Sequence, residues 1–296
     1  MIKYLLLFTC FGISTLAASA QVAKSQVYLF NLQQRTDSLF EFTQPRLLTA
    51  FNKQGYNNQP SFFTNDELYV TVLTPDQLRP DIYMLNLRTM SRGRVTQTDE
   101  GEYSPTPMPD QRFFSSVRTE GVDFKTQRLW QFPMDRSASG KPVFKYIENV
   151  GYHCWLDDYR AALFLVGEPN QLAIADIRTD QTINLVTRIG RCMQKLPNGN
   201  LAYVHKITDQ TWYLKELNVG TNRSEIVIAT LPGSEDFVIL PDGTFLMGSG
   251  SKLYKYNPYT DRNWVAIADL KGYLITNITR MALSRDFKLA LVNEIK

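Results

Sequence analysis

The chain has 296 residues, of which 44% are hydrophobic and 12% aromatic, and its formal net charge is +3 at pH 7. This length is too great for an ordinary β-sandwich and sufficient for one large domain. The 32 basic residues nearly balance the 29 acidic ones and form no basic stripe, which argues against nucleic-acid binding.

The first predicted element is a secretory leader. Lys3 supplies positive charge, residues 4–16 form an apolar run, and Ala18-Ser19-Ala20 fits the small-residue rule for cleavage. The apolar run is too short for a comfortable membrane span. We expect cleavage near Ala20, export to the periplasm or the cell exterior, and no transmembrane segment in the mature chain. A lipid-anchored or retained leader is the alternative, but Cys10 lies inside the apolar run behind a poor lipobox.

Downstream of the leader, one short strand pattern recurs six times. Most copies place an aromatic residue second and a polar turn-former fifth. The copies begin at Val27, Ile82, Leu129, Leu172, Trp212 and Leu253. From the second copy onward the spacing is about 40–47 residues, which is the length of one four-stranded propeller blade.

A second repeat lies upstream of the first in each unit and predicts a hairpin. Its clearest copies are Leu-Pro-Asp-Gly at residues 240–243 and Leu-Pro-Asn-Gly at residues 196–199. Gly and Asn tolerate the positive φ that tight hairpin turns require. The hairpin, the aromatic strand and a following polar or β-branched strand together predict four antiparallel strands per unit.

The two ends of the chain each predict half a blade. The third-strand pattern at Val27 has no hairpin before it, and the hairpin at residues 282–292 has nothing after it. Joined, the halves complete one blade and remove the exposed sheet edges. We therefore predict an all-β, six-bladed β-propeller of four-stranded antiparallel blades, with residues 1–20 as signal peptide and residues 21–296 as one propeller domain.

The hairpin repeats resemble the Pro-x-Trp-Ser-Pro-Asp-Gly signature of TolB-type, or WD40-like (PD40), propellers. The matching segments are 60–62 (Pro-Ser-Phe), 104–106 (Ser-Pro-Thr) and 240–243 (Leu-Pro-Asp-Gly), and Trp155 takes the place of the aromatic residue in another blade. The third strands resemble the Leu-Tyr-x-x-Asp-Leu element of the same family. The resemblance covers nearly all of the mature chain. It implies a six-bladed propeller that works mainly by protein–protein contact in the bacterial envelope.

In such a ring, the first strands of all six blades converge on a central channel. Aligning the repeats places a mixed set of aromatic, charged and amide side chains just before these strands, at the channel rim. The set is Asn58, Gln59, Tyr103, Ser104, Tyr152, Arg191, Glu235, Asp236 and Thr279. This mixture suits a binding surface, although the same residues could simply solvate the rim and cap strand ends.

The sequence offers few signs of catalysis. Gly-x-Ser-x-Gly, Gly-rich phosphate loops and calcium loops are absent, and His153 beside Cys154 lacks the further ligands of a closed zinc site. We therefore predict no catalytic residues, no metal and no cofactor. Cys154 and Cys192 are expected to be separate buried thiols, while a disulfide between neighbouring blades remains open.

The sequence leaves three functions open. The first is an exported, monomeric, non-catalytic scaffold that binds another envelope protein, a peptide or a glycan at the rim. The second is a metal-dependent hydrolase of the lactonase or esterase kind, with a channel cation held by Asp236, Glu235, Asn58 and Gln59. The third is the propeller lid of a peptidase that has lost its hydrolase domain.

Overall fold

The computed structural model describes residues 23–121 and 125–295, which form 24 β-strands and two 3-10 turns, Ala50–Asn52 and Lys271–Tyr273. The strands make six four-stranded antiparallel sheets. The predicted all-β, six-bladed propeller is thereby confirmed. The predicted signal peptide lies outside the described residues.

Each blade contains four strands, ordered from the channel outward. The innermost strands are β3 (Tyr56–Phe62), β7 (Gly101–Pro107), β11 (Val150–Trp155), β15 (Ile189–Lys195), β19 (Phe237–Ile239) and β23 (Ile278–Leu283). The second strands are β4 (Glu67–Leu73), β8 (Phe113–Glu120), β12 (Arg160–Leu165), β16 (Leu201–Lys206), β20 (Phe245–Ser249) and β24 (Lys288–Glu294). The third strands are β5 (Asp81–Asn86), β9 (Thr126–Pro133), β13 (Gln171–Asp176), β17 (Trp212–Asn218), β21 (Lys252–Tyr256) and β1 (Ser25–Gln34). The outermost strands are β6 (Arg92–Arg94), β10 (Lys141–Pro142), β14 (Gln181–Thr187), β18 (Arg223–Ala229), β22 (Val265–Asp269) and β2 (Phe40–Leu47).

The six copies of the aromatic strand pattern all lie in third strands, as the repeat predicts. The predicted hairpin turns are also present. Gly199 and Gly243 have φ of +87° and +86°, and Leu240 donates its backbone N–H to the carbonyl oxygen of Thr244 at 2.8 Å. Glycine is needed at these two positions because a side chain at such φ would be strained.

The ring closes through one blade shared by the two ends of the chain. Its strand order is β2-β1-β24-β23, and β1 pairs antiparallel with β24 from Ser25↔Glu294 to Asn31↔Lys288. Leu291 and Val292 of β24 have no exposed surface. The predicted pairing of the C-terminal hairpin with the first strand is therefore confirmed.

The core lies between neighbouring blades rather than within any one of them. Both faces of the second strands are apolar and buried, as in β4, where Leu68, Val70 and Val72 have no exposed surface and Thr71 between them is also buried. Each fully buried aliphatic side chain stabilises the fold by about 1.5–3 kcal/mol. Outermost strands such as β14 and β18 are largely exposed, so the buried core lies closer to the channel.

Most of the innermost strands carry a β-bulge that changes which side chains face the channel. The strand register shifts between Asn58 and Ser61 in β3 and between Tyr103 and Thr106 in β7, and the same occurs in β11, β15 and β23. The expectation that the rim residues precede the first strands is therefore wrong in five blades, where they lie within the strands. Only Glu235 and Asp236 precede their strand, β19.

Within the part of the chain that the structure describes, no helix has the length and apolar character that a membrane crossing requires.

Candidate functional site: the channel and its mouth

Six side chains, one from each blade, meet in the channel near the end where the first strands begin. This channel ring comprises Tyr56, Tyr103, Tyr152, Arg191, Asp236 and Arg280. The guanidinium of Arg280 lies over the Tyr152 ring at 4.7 Å from its centroid, within the range of a cation–π contact. Burial raises the pKa of Tyr56 despite the opposing charges of Arg280 and Arg191, so its hydroxyl stays protonated.

Asp236 is the electrostatic centre of the channel ring, because it lies between the two arginines. Its Oδ2 accepts hydrogen bonds from Nη2 of Arg191 at 2.6 Å and from Nε at 3.1 Å. Its Oδ1 lies 3.3 Å from Nη1 of Arg280. Burial opposes the charged form of each arginine, but Asp236 and the neighbouring groups that favour the charge together raise the pKa of both. The aspartate thereby fixes two long side chains from different blades.

Glu235 extends this network toward the surface. Its Oε2 lies 2.8 Å from Nζ of Lys206 and accepts the backbone N–H of Arg191 at 3.2 Å. Burial would raise the pKa of Glu235, yet the charges of Arg191 and Lys206 hold it below its usual range. The carboxylate is therefore ionised at neutral pH, and it ties the blade of β15 and β16 to the blade of β19.

A polar depression opens beside the channel ring, between the blade of β19 and the closing blade. This mouth depression has a volume of about 320 Å³. Its lining includes Arg191, Ser234, Glu235, Asp236, Ser249, Asn277, Thr279 and Glu294. The carbonyl of Thr279 accepts a hydrogen bond from Nη2 of Arg191 at 3.3 Å, while the buried Oγ1 of Thr279 has no partner among the described residues. The depression thus offers both fixed charges and an unused hydroxyl.

A smaller cavity of about 150 Å³ lies in the channel itself and is lined by residues from all six blades. This channel cavity contains Ser104, whose backbone is held in a bulge with φ of +54°. The Oε1 of Gln59 accepts the backbone N–H of Ser104 at 2.9 Å and the hydroxyl of Thr71 at 2.8 Å. Gln59 therefore joins two blades and fixes the strand that carries Ser104.

His153 also lines the channel cavity, and it is held from behind by a serine and a tryptophan. Trp155 donates its Nε1–H to Oγ of Ser115 at 2.9 Å, and that oxygen lies 2.7 Å from Nε2 of His153. The indole can only donate, and Oγ of Ser115 also lies 3.3 Å from the carbonyl oxygen of Thr106, which can accept its proton, so Nε2 of His153 can either accept from the serine or donate to it. Burial lowers the pKa of His153 to about 3, so the ring is neutral at physiological pH.

Cys154 and Cys192 are free thiols. Burial raises the pKa of Cys154 to about 11, and it raises that of Cys192 still further. Both therefore remain protonated at neutral pH. This agrees with the favoured prediction of two separate buried thiols, and the disulfide that the sequence left open is not formed.

The structure brings most of the predicted rim residues together. Gln59, Ser104, Tyr152, Arg191 and Asp236 line the channel cavity. Glu235 and Thr279 line the mouth depression, and Tyr103 belongs to the channel ring. Asn58 is buried and its Oδ1 accepts the backbone N–H of Gln59 at 2.7 Å, so it shapes the β3 bulge.

Sequence reasoning missed two members of the channel ring, Tyr56 and Arg280. Tyr56 lies two residues before Asn58, on the same side of the β3 bulge, whereas Arg280 follows directly on the β23 bulge that contains Thr279. A signal for Tyr56 was present, because a tyrosine also stands near the start of the next two first strands, at Tyr103 and Tyr152. A signal for Arg280 was present as well, because Arg191 is likewise the third residue of its first strand, β15.

A second concave surface lies at the opposite end of the first strands, where the hairpin turns meet. This hairpin groove has a volume of about 810 Å³, and it lies among the closing blade and the blades of β3 and β7. Its lining includes Phe62, Phe63, Pro107, Met108, Gln111, Phe113, Met134 and Arg285. The sequence analysis did not predict it, since its lining comes from three separate repeats.

The oxygen atoms proposed for a channel cation do not form a free ligand set. Those of Asp236 and Glu235 contact Arg191, Arg280 and Lys206. The Oε1 of Gln59 already accepts hydrogen bonds from Thr71 in its own blade and from Ser104 in the neighbouring blade. Across residues 23–121 and 125–295, no group of three or more His, Cys, Asp or Glu side chains is placed to hold a metal ion.

Comparison with known proteins gives a likeness of fold. No protein-family model matches the sequence, and no curated protein matches it. Among solved structures, a candidate TolB from Agrobacterium tumefaciens superposes with a TM-score of 0.68 at 12% identity, over 93% of this chain and 99% of that one. TolB from Acinetobacter baumannii gives 0.58 at 14% identity, over 90% and 63%.

An enzyme shares the same architecture. Oligogalacturonate lyase in complex with manganese superposes with a TM-score of 0.55 at 12% identity, over 87% of this chain and 83% of that one. The resemblance to TolB-type propellers is therefore confirmed for the fold. At these identities the likeness does not choose between a binding protein and an enzyme.

Proposed function

We propose that this chain is an exported, non-catalytic binding protein that holds a partner protein at the mouth of its channel. The partner contacts the channel ring and the mouth depression with a polar segment of its surface. The mature unit would be residues 21–296, released by cleavage after Ala20. The mass of the exported protein checks that step, because an intact Met1 or an acylated Cys10 would contradict it.

The observation that carries the proposal is the convergence of six blades on one small polar surface. Six separate blades each supply one side chain to the channel ring, and the mouth depression adjoins it through Arg191 and Asp236. Loops and strand ends held by a rigid scaffold are where binding surfaces concentrate. The resemblance of the hairpin repeats to TolB-type propellers, which implies protein–protein contact, supports the same reading.

The side chains at the mouth are fixed before any partner arrives. Arg191 is held by Asp236, Glu235 and the carbonyl of Thr279, so little rotamer freedom remains to be lost on binding. Immobilising a free side chain at an interface costs about 0.5–1.5 kcal/mol. Tyrosine and arginine are also the side chains that most often dominate interface energies. The mouth therefore has the composition and the rigidity of a binding surface.

The hydrolase alternative finds less support in the geometry. The carboxylates that would hold a cation contact three basic side chains instead. The pairing of Ser115 with His153 superficially resembles part of a catalytic triad. Ser115 is fully buried, however, and Nδ1 of His153 has no carboxylate to orient it among the described residues.

Removing one aromatic side chain from the channel ring should weaken the proposed complex. Replacing Tyr103 with alanine should weaken the partner complex by about 1–3 kcal/mol, because tyrosine combines contact area with a directed hydrogen bond. Isothermal titration with the purified partner measures this. Arg285→Glu, in the hairpin groove, is the matched control and should bind like the unmodified protein. If only Arg285→Glu weakens binding, the partner occupies the other end of the ring.

A further inference from the structure

Three polar atoms in the channel cavity are buried and have no hydrogen-bond partner among the described residues. They are Oγ of Ser104, Nδ1 of His153 and Nε of Arg280. Leaving a buried polar group unpaired costs about 1–3 kcal/mol, and more for a charged group. The serine hydroxyl and the guanidinium Nε donate hydrogen bonds, and Nδ1 of the imidazole donates in one of its two neutral tautomers. The residues that line the cavity therefore carry hydrogen-bond donors for which the described residues supply no acceptor.

The charges around the cavity point to the same kind of ligand. Arg191 and Arg280 share the single carboxylate of Asp236, and Glu235 is paired with Lys206. One positive charge is thus left over. The side chain of Arg280 is only 13% exposed and meets Asp236 through Nη1 at 3.3 Å. One additional negative charge beside Arg280 would balance the positive charge that is left over.

The orientation of Arg280 selects a flat anion. Asp236 contacts Nη1, which leaves the Nε edge of the guanidinium without a partner. That edge carries parallel N–H groups, which bind the two oxygen atoms of a carboxylate in a bidentate manner. The hydroxyl of Ser104 lines the same cavity and supplies a further donor, and the neutral imidazole of His153 lies beside it.

The size of the cavity limits the ligand. Its volume of about 150 Å³ corresponds to roughly five water molecules at about 30 Å³ each. Ordinary small-molecule sites measure about 300–1,000 Å³. The space therefore accommodates a carboxylate with a few attached atoms and excludes a glycan chain.

We propose that the channel cavity is a binding site for one carboxylate group, centred on Arg280. The site requires no partner protein at the mouth, so it goes beyond the proposed function. The carboxylate arrives either as a small free acid or as the terminus of a peptide that enters the channel. Both sources share the same recognition by Arg280, His153 and Ser104.

Thermal unfolding of the purified protein tests the site, because a ligand that binds only the native state raises the melting temperature. Sodium acetate should raise it in a saturating manner, whereas sodium chloride at the same ionic strength should not. N-acetyl-triglycine and its C-terminal amide form the second arm. Stabilisation by acetate identifies a free acid, and stabilisation by the peptide acid alone identifies a peptide terminus. Equal effects of acetate and chloride together with equal effects of the peptide acid and its amide would overturn the proposal, as would no effect of any of them.

Two substitutions locate the site. Ser104→Ala removes one uncharged donor, and Arg280→Lys keeps the charge but removes the bidentate edge. Each should weaken binding of the stabilising ligand about tenfold, as expected for hydrogen bonds to a charged group. Ser234→Ala is the matched control, because its Oγ already donates to the carbonyl of Gly248 at 2.8 Å in the mouth depression. If Arg280→Lys fails to fold, Ser104→Ala decides, and unchanged affinity in that variant would contradict the assignment.

Discussion

Deleting residues 276–296 is expected to abolish the cooperative fold and cause aggregation. The deletion removes β23 and β24, which form half of the closing blade. It exposes the edge of β1 along seven residue pairs, from Ser25 to Asn31. It also uncovers apolar surface on both neighbouring blades, because Leu289 and Leu291 have no exposed surface. A long, apolar, unpaired edge recruits other chains.

Size-exclusion chromatography and calorimetry measure this outcome. A shorter truncation that ends at Glu294 is the control. It keeps all of β24 and removes Ile295, whose surface is 42% exposed, so it should remain monomeric with a normal melting transition. A monomeric 276–296 deletion that melts like the full chain would mean that closure contributes little to stability.

Replacing Asp236 with alanine is expected to destabilise the protein by about 3–5 kcal/mol, because two partly buried arginines would lose their shared carboxylate. Arg191 would keep Glu235, but Arg280 would keep no carboxylate in this network. Urea denaturation measures the change in the free energy of unfolding. Because single domains are stable by only about 5–15 kcal/mol, this is a large fraction of the total.

Asp209→Ala is the matched control for that substitution. Asp209 is also paired with an arginine, since its Oδ1 lies 2.9 Å from Nη2 of Arg188, but its side chain is 98% exposed. Exposed pairs contribute about 0–1 kcal/mol. Equal losses in the two variants would show that Asp236 is not the anchor of the channel ring.

The parts of the fold that sequence predicted are those fixed by local pattern. The aromatic pattern recurs because each blade repeats the same third strand. Glycine recurs at the hairpin turns, at Gly199 and Gly243, because the turn requires a positive φ there. Closure followed from two half-blades that complete each other. Each of these features is dictated within a dozen residues or by the order of the repeats.

The site was harder to predict because it depends on bulges and on distant residues. A bulge at Ser104 or Gln59 changes which of two successive side chains enters the channel, and alignment of repeats cannot detect that change. Arg280 contacts Asp236, which lies 44 residues away in the sequence. The contact forms only because the blade of β19 and the closing blade lie side by side. The hairpin groove was missed for the same reason, since three blades build it.

Site-specific cross-linking in the envelope tests most directly whether the channel mouth binds a partner protein. Benzoylphenylalanine would replace Tyr103 in the channel ring, Ser249 in the mouth depression, or Gln111 in the hairpin groove. If the partner binds at the channel mouth, positions 103 and 249 capture the same protein and position 111 does not. Capture at position 111 alone, or of unrelated proteins at 103 and 249, would contradict it.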